Sequence, residues 1–296
     1  IIPIRADSTC VDSAAASTAA EDLIAQGIVA IMGADCSGVT GAIATNVAVP
    51  NGVVMVSPSA TSPGLTDLDD NGLFFRTAPS DARGGEVLAA ITKDNGVSSV
   101  AITYVNTDYG VGLADVYKAS LEANGITVTT VTAHEGDKAD YSAEVGVLSS
   151  AGGEALVVIG YLDQGGNQII QGSLDSGAYD TFVLSDGMIG SSLTETFGSD
   201  LDGSFGSMRG SLGAGAQKFK AYAEANGVDP SVYVGESYDA AAIIALAIQA
   251  GGSADRQSIL NNISKVSNAP GIVINPGQLS YGLQMLAAGK EIDYQG

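Results

Sequence analysis

Hydrophobic runs of strand length alternate along the chain with segments whose apolar residues recur at helical spacing. The runs predict strands at 27–33, 53–57, 73–76, 99–105, 126–133, 155–160, 181–184 and 204–208. The helical spacing predicts helices at 13–26, 38–49, 82–95, 111–124, 141–150, 165–176, 214–226, 238–250 and 256–266. Because mostly hydrophobic strands alternate with helices, the pattern predicts an α/β fold whose parallel sheets are covered on both faces.

The number of strand and helix units is too large for one small sheet, so the 296-residue chain is predicted to form two domains. A (β/α)₈ barrel has the same alternation and is the rival architecture. A strand that leads into a polar, proline-bearing turn at 74–80 favours a passage between two domains, and 207–211 is predicted to be a second passage. We therefore assign 1–78 and 211–296 to one domain and 79–210 to the other.

The charge of the chain narrows the range of its partners. It has 33 acidic and 12 basic residues, which gives a formal charge of −21 at pH 7. A surface of this charge repels nucleic acid and anionic membranes, so we expect no nucleic-acid partner. The same charge keeps a protein dispersed and would suit a salty habitat. No stretch reaches about 18 continuous apolar residues, and no membrane span is predicted.

Cysteine and histidine are too scarce for a zinc site. Cys10 and Cys36 belong to no CxxC pair, and His134 is the single histidine. The two cysteines are compatible with a disulfide, which would imply an oxidising compartment, or with two buried thiols. His134 lies among acidic residues near a strand end and is interpreted as a solvated histidine. The chain also lacks GxSxG, P-loop and GxGxxG motifs, so we predict a protein that is not an enzyme and has no cofactor or metal.

Polar and aromatic residues cluster where predicted strands give way to loops or helices. In open α/β sheets these strand ends are where ligands bind. Together they offer hydroxyls and helix-start amides for a carboxylate, one acid for an ammonium group and two aromatic walls. This combination predicts an amino-acid binding cleft. The segments are 35–40, 57–61, 108–110, 160–161 and 185–187.

Seven motifs follow one another along the chain: ADSTCVDSAAA, IMGADCSGVT, VSPSATSPGLT, FFRTAPSD, VNTDYGVGLA, ESYDAAAIIALA and EIDYQG. Their order resembles that of the type I periplasmic solute-binding proteins, and in particular the branched-chain amino-acid (leucine/isoleucine/valine) binding family of ABC importers. The resemblance implies two Rossmann-like lobes with parallel sheets, joined by hinge crossings. It makes 1–78 and 211–296 the N-lobe and 79–210 the C-lobe, with the ligand cleft between them.

The resemblance also carries expectations about the disulfide and the chain ends. It implies a bridge between Cys10 and Cys36, and a loop of this length should stabilise the protein by roughly 3 kcal/mol. Chains of this family begin about one strand and one helix earlier and continue past EIDYQG. The sequence contains no signal peptide and no initiator methionine. We therefore expect both ends to be cut from a longer chain that includes the family's N-terminal strand and helix and its C-terminal segment.

Ligand-binding residues follow from the resemblance at the matching positions. Ser37 would bind the ligand carboxylate, where the alternative is a helix cap. Ser59 and Ala60 belong to a loop in which Ser59 supplies main-chain groups, and the Thr61 hydroxyl would meet the carboxylate or the ammonium. The alternative for this loop is an ordinary Ser/Thr-Pro turn.

The second half of the predicted site is acidic and aromatic. The Asp186 carboxylate would meet the α-ammonium group, at a position where the family usually has glutamate. The alternative is that Asp186 is a turn residue before a glycine. Tyr109 and Tyr161 would cover the ligand with their rings, and the alternative for both is local core packing.

Asp35 departs from the family pattern, which has an apolar residue against the ligand's aliphatic side chain. Leucine or valine would leave a buried acid unpaired there, at a cost in free energy. One hypothesis is therefore a ligand with a polar or cationic side chain. The alternative is that Asp35 points to solvent or to a bridging water.

The resemblance implies an extracytoplasmic, periplasmic substrate-binding protein of an ABC importer, or a lipid-anchored one on the outer face of a Gram-positive cell. It would be a monomer that closes on one amino acid or close analogue, and a membrane permease would recognise the closed form. The alternative function is a sensor domain of the same fold for amides or small carboxylates. A barrel or hydrolase enzyme is a third possibility, which the lack of a nucleophile motif disfavours.

Overall fold

The computed structural model describes residues 1–210 and 213–296, and the polypeptide forms helices α1–α11 and strands β1–β10 in these ranges. The helices are α1 Ser13–Ala25, α2 Ser37–Ile43, α3 Asp81–Asp94, α4 Asp108–Ala123, α5 Ser142–Ala151, α6 Asn167–Ser176, α7 Ser191–Phe197, α8 Ala214–Ala225, α9 Val234–Gly251, α10 Arg256–Val266 and α11 Leu279–Ala287. The strands are β1 Ala30–Met32, β2 Val54–Ser57, β3 Phe74–Arg76, β4 Ser99–Val105, β5 Thr127–His134, β6 Ala155–Ile159, β7 Phe182–Leu184, β8 Phe205–Gly206, β9 Ile272–Ile274 and β10 Ile292–Tyr294.

Two compact units divide the chain. The first unit comprises Ile1–Thr61, Asp67–Ala78 and Gly210–Gly296, and the second comprises Ser62–Thr66 and Pro79–Arg209. Ser211 and Leu212, where the predicted second passage ends and the second part of the predicted N-lobe begins, lie outside the described residues. No helix in the described ranges combines the length and apolar character needed to cross a membrane.

The second unit is built on an open, parallel, five-stranded sheet with the order β5-β4-β6-β7-β8. Both faces are covered, because neighbouring residues of β6 enter different cores. Val157 packs in the cluster that α3 and α4 cover, which includes Leu113. Leu156 packs in the cluster that α5 and α6 cover, which includes Ile169. Burial on both sides explains the unbroken apolar run of β6 and confirms the predicted α/β class.

The strand order places a topological switch point in the second unit. Strands β5 and β6 flank β4 on opposite sides, as in other doubly wound sheets. The chain therefore leaves the carboxyl ends of β4 and β6 in opposite directions, which opens a crevice there. Tyr109 follows β4 and Tyr161 follows β6, so both tyrosines lie at this crevice.

The first unit contains a parallel sheet of order β1-β2-β3 and a separate parallel pair, β9 and β10. Its core joins Val54 and Val56 of β2 to apolar residues of α9 and α10, such as Leu246 and Ile259, and to Ile274 of β9. The described strands thus form separate open sheets, and the barrel alternative is wrong.

Two strands and two helices were not predicted. Strands β9 and β10 have three residues each, which is too short for an alternation to stand out. Helix α7 has only seven residues, and α11 contains Gly282, a poor helix former. Ile274 and Ile292 pack in the core and so define the two strands. This packing depends on the tertiary structure and leaves no local pattern in the sequence.

His134 is buried, so its interpretation as a solvated histidine is wrong. It ends β5 with a side chain that is 1% exposed, and its Nδ1 lies 2.8 Å from the Thr103 hydroxyl in a hydrogen bond. Burial lowers the pKa of His134 to about 4, against a weaker opposite effect of Glu144 and Glu135. The neutral imidazole is thus part of the packed structure at pH 7.

This burial predicts a loss of stability in acid. The unfolded chain binds a proton at His134 near pH 6.5, whereas the folded protein resists protonation down to about pH 4. The free energy of unfolding should therefore fall by about 3 kcal/mol through this group as the pH drops across that window. Urea unfolding at pH 7 and pH 4 measures the loss. His134→Gln should reduce it, and an equal loss in the variant and the unchanged protein would contradict this assignment.

Candidate functional site

In the first unit, the carboxyl ends of β1 and β2 are tied together by Ser57. Its hydroxyl donates to the Ala34 carbonyl at 2.6 Å and accepts from the Ala60 and Ser59 amides at 3.1 and 3.4 Å. Ser57 is fully buried, and the Arg76 guanidinium donates to the Ala60 carbonyl at 3.1 Å. The loop that carries the predicted Ser59, Ala60 and Thr61 is therefore fixed from both sides. Ser57 begins one of the predicted site segments, 57–61, but no role was predicted for it.

Buried hydroxyl groups lie both in this loop and in the first turn of α2. Ser37 is the first residue of the helix and is buried, as is Thr61 in the loop. Thr40, one turn further along α2, is fully buried, and its hydroxyl has no hydrogen-bond partner among the described residues. A buried hydroxyl without a partner is uncommon and points to a bound water or ligand group.

Asp35 is exposed and already has a partner. The Ser59 hydroxyl donates to the Asp35 carboxylate and also lies 3.1 Å from the Asp35 carbonyl oxygen. A carboxylate that is solvated and hydrogen bonded needs no cation from a ligand.

A disulfide anchors the start of α2. Cys36 precedes Ser37 and is bonded to Cys10, with the two Cα atoms 5.3 Å apart. The predicted bridge is thus confirmed, and it ties the segment before α1 to the residue that precedes the candidate carboxylate-binding serine.

Removal of the Cys10–Cys36 disulfide should have a measurable effect on the free energy of unfolding. The Cys10→Ser, Cys36→Ser double variant is expected to lose about 3 kcal/mol in the free energy of unfolding, because its unfolded chain is less restricted. Thiol labelling of the unreduced, denatured protein should detect no free thiol. Reductant should destabilise the unchanged protein but not the double variant. Two labelled thiols would contradict the disulfide.

In the second unit, Tyr109 and Tyr161 meet at the switch point. Their ring centroids are 5.2 Å apart with an interplanar angle of 29°, a stacked arrangement. Tyr109 is buried, and its hydroxyl donates to Asp186 Oδ1 at 2.8 Å. Burial, followed by the charge of Asp186, raises the pKa of Tyr109 well above its usual value. The phenol therefore stays neutral and remains a hydrogen-bond donor.

Asp186 belongs to a buried charge cluster, together with Arg209 and Asp81. Asp186 follows β7 and is 4% exposed, and its Oδ1 lies 3.5 Å from Arg209 Nη2. The same Nη2 forms a hydrogen-bonded ion pair with Asp81, which is fully buried. Burial alone would lower the pKa of Arg209, but Asp186 and Asp81 outweigh it and raise that pKa.

The structure thus brings the predicted residues together in two groups, one in each unit. Ser37, Ser59, Ala60, Thr61 and Asp35 belong to the first unit, and Tyr109, Tyr161 and Asp186 belong to the second. Within residues 1–210 and 213–296, no group of histidine, cysteine and carboxylate side chains is arranged to hold a metal ion.

Arg209 and Asp81 were not predicted as site residues. They are 128 positions apart in the chain, and no motif joins them. Little in the sequence points to either residue as part of a binding site. Arg209 lies in the segment 207–211, which was predicted only to pass between the two domains, and Asp81 follows Ser80, the residue that caps α3.

Known proteins resemble this chain over most of its length. The model of the receptor family ligand binding region, ANF_receptor, matches residues 2–296. The Leu/Ile/Val-binding protein homolog 1 of Brucella melitensis biotype 1 is 31% identical over 246 residues, which cover 81% of this chain and 65% of that protein. The chemotactic signal transduction system substrate-binding protein BasB of Halobacterium salinarum is 25% identical over 324 residues, and the match covers 100% of this chain and 71% of that protein.

A solved structure has the same fold. The leucine binding protein LivK from Thermotoga maritima superimposes with a TM-score of 0.76 at 26% sequence identity, over 87% of this chain and 75% of that one. The Brucella relative is longer than the matched region, and this chain spans just under two thirds of its length.

Proposed function

This chain belongs to the receptor family of ligand-binding regions, and we propose that it is the substrate-binding protein of an ABC importer that captures a free amino acid. One observation carries the proposal: the buried Asp186 carboxylate lies at a strand end and is hydrogen bonded to Tyr109, whose ring is stacked on Tyr161. A buried acid beside two aromatic rings suits an ammonium group that carries an apolar side chain.

We assign the ligand's carboxylate to the hydroxyl groups of the first unit. Ser37 is buried at the start of α2 and Thr61 is buried in the loop after β2, and the Thr40 hydroxyl has no partner among the described residues. We assign the ammonium to Asp186. A ligand that holds both units has different contacts in the open and closed states, and this difference would drive hinge closure.

The class of the ligand's side chain depends on whether Asp35 contacts it. The hypothesis of a polar or cationic side chain rests on Asp35, but the Ser59 hydroxyl already satisfies this exposed carboxylate. The Brucella relative is named for leucine, isoleucine and valine. A comparison of L-leucine with L-lysine therefore separates the two classes, and Asp35→Leu should change only the affinity for lysine if Asp35 contacts the side chain.

The proposed setting is extracytoplasmic, with a monomeric receptor that delivers its ligand to a membrane permease. Three features support it: the Cys10–Cys36 disulfide, which suits an oxidising compartment, the strong negative charge, and the Leu/Ile/Val-binding relatives.

Equilibrium dialysis tests the proposed function without prior choice of a ligand. The protein is dialysed against an equimolar mixture of the proteinogenic amino acids, and the ligand retained after denaturation is identified by mass spectrometry. One amino acid, or one class of side chain, should be enriched. Retention of none of them, with binding of amides or small carboxylates instead, would contradict the proposal.

A sensor role is the second candidate, and the similarity to the chemotactic substrate-binding protein of Halobacterium salinarum favours it. Deletion of the gene separates the two roles. Loss of uptake of the identified amino acid supports the importer, whereas loss of taxis with unchanged uptake supports the sensor.

A further inference from the structure

Two loops that carry predicted site residues are joined where they leave neighbouring strands. Strands β6 and β7 pair in parallel, so their carboxyl ends lie side by side. The loop after β6 begins with Gly160 and Tyr161, and the loop after β7 begins with Ser185 and Asp186. The Gly160 amide donates to the buried Ser185 hydroxyl at 3.3 Å. The starts of the two loops are therefore held together.

Gly187, in the loop after β7, lies against the loop after β6. A Cβ at this position would collide with the Gly160 carbonyl oxygen and would lie 3.0 and 3.3 Å from Cδ1 and Cε1 of the Tyr161 ring. Because the oxygen belongs to the backbone, no side-chain rotation relieves this collision. The Gly187 amide also donates to the Tyr109 hydroxyl at 3.4 Å. Gly187 thus lies beside both tyrosines of the candidate site.

The need for glycine at position 187 comes from space and not from backbone conformation. Gly187 lies in the 3-10 turn Asp186–Met188, a conformation that residues with side chains adopt readily. Gly165, in the loop after β6, differs because its φ is 87°, which favours glycine in its own right. A side chain at position 187 would therefore push the loop that carries Asp186 away from the loop that carries Tyr161.

The separation of the two loops controls how the acid and the aromatic rings lie relative to each other. Asp186 precedes Gly187 in the chain, and its Oδ1 accepts from the Tyr109 hydroxyl at 2.8 Å. The Tyr109 ring is in turn stacked on Tyr161, with the ring centroids 5.2 Å apart. A ligand that places its ammonium at Asp186 and its apolar side chain on Tyr161 needs both groups at this spacing at once. A site that is already held at this spacing loses less free energy on binding.

We propose that Gly187 is a positioning residue that sets the distance between the Asp186 carboxylate and the Tyr161 ring, so that the site selects ligands in which an ammonium group and an apolar side chain are close together. The inference rests on the proposed function in one respect, namely that Asp186 meets the ligand's ammonium and Tyr161 its side chain. The spacing of the two loops does not depend on that function. Gly187 acts on the ligand only through the two residues that it positions.

Calorimetric titration of Gly187→Ala with a matched pair of probes tests this selection. L-leucine has both groups, whereas 4-methylpentanoate has the same carbon skeleton and carboxylate without the ammonium. Leucine binding should weaken by about tenfold or more, because leucine can no longer meet the acid and the ring together. Binding of 4-methylpentanoate should weaken by about threefold or less, because this probe can follow the displaced ring. Equal weakening of both probes would show a merely structural role and overturn the proposal.

Gly190→Ala is the matched control, because Gly190 follows Gly187 in the same loop. A Cβ on Gly190 would meet Leu162 Cδ1 at 2.9 Å, and this atom is the far end of a flexible side chain that can rotate away. Both probes should bind Gly190→Ala as they bind the unchanged protein. If Gly190→Ala weakens leucine binding as selectively as Gly187→Ala does, any added bulk in this loop has the same effect and the proposal fails.

A ligand-free measurement separates this inference from the proposed function. In the unchanged protein, the Gly187 α-protons should show nuclear Overhauser effects to the Tyr161 ring protons, since a Cβ on Gly187 would lie 3.0 Å from that ring. In Gly187→Ala the Tyr161 ring protons should change their chemical shifts as the ring moves relative to Tyr109, and in Gly190→Ala they should not.

The NMR outcomes are independent of the ligand. Absence of the Overhauser effects in the unchanged protein overturns the inference whatever the ligand is, and this measurement needs no variant. Unchanged Tyr161 ring shifts in Gly187→Ala overturn it as well. If both NMR effects occur but leucine does not bind the unchanged protein, the spacing of the loops stands and the amino-acid function fails.

Discussion

Replacement of Asp186 by asparagine is expected to weaken the binding of an L-amino acid about tenfold to a hundredfold at neutral pH. A charge-assisted hydrogen bond to a buried carboxylate contributes about 1.5–3 kcal/mol, and the neutral amide forfeits most of this free energy. Asparagine retains an oxygen that can accept from the Tyr109 hydroxyl, so the fold of the variant should be preserved. Calorimetric titration with the amino acid found by dialysis measures the change.

Two comparisons make the Asp186 experiment specific. Asp175→Asn removes an exposed carboxylate from α6 in the same unit and should leave the affinity unchanged. An analogue without the ammonium, such as 4-methylpentanoate for leucine, should bind Asp186→Asn at least as well as it binds the unchanged protein. Unchanged amino-acid affinity in Asp186→Asn would remove the ammonium role from this residue.

Replacement of Gly110 by alanine is expected to destabilise the protein by about 3 kcal/mol. Gly110 lies in the first turn of α4, where the side chain of Thr107 accepts from its amide. A Cβ at this position would collide with the carbonyl oxygen of Val105, at the end of β4. The oxygen that the Cβ would meet belongs to the backbone, so the collision can be relieved only by moving the helix away from the strand.

The Gly110 variant should also affect binding, because Tyr109 precedes it and would move with the helix. Gly146→Ala in α5 is the matched control, since a Cβ there meets no atom within 4 Å. It should stabilise the protein by about 0.5–1 kcal/mol, as alanine does in an exposed helix. Urea unfolding measures both variants. A Gly110→Ala protein as stable as the unchanged one would contradict the close approach of α4 to β4.

The parts of the fold predicted from sequence are those with a strong local signal. Strand β4 was predicted with the bounds that it has, because it is a long apolar run, and α10 was predicted with its bounds from apolar residues at helical spacing. In the structure, the Asp255 side chain caps its start. The π-helical turn Ala44–Ala48, which continues α2, was included in a single predicted helix. Strands β9 and β10 were missed because three residues give no pattern, and only packing against α9 and α10 defines them.

The site was predictable only where topology brings residues together. Parallel strands present their carboxyl ends at one edge, so Tyr109, Tyr161 and Asp186 could be grouped from their positions after predicted strands. The burial of Arg209 and His134 could not be predicted in this way. His134 ends a strand, and sequence alone did not show which face of the sheet its ring would occupy. The burial of the Arg209 guanidinium depends on the space beside Gly84, and this space forms only when α3 packs.

A thermal-shift series tests whether this protein is an amino-acid receptor. The protein is heated with each amino acid and with the matching amides and carboxylates that lack one of the two charged groups. A ligand at 100 times its Kd adds about 2.7 kcal/mol to the free energy of unfolding, which is readily detected. We expect stabilisation by one class of free amino acids and much weaker effects of their amides and deaminated acids. Stabilisation by amides or carboxylates, with none by any free amino acid, would contradict it.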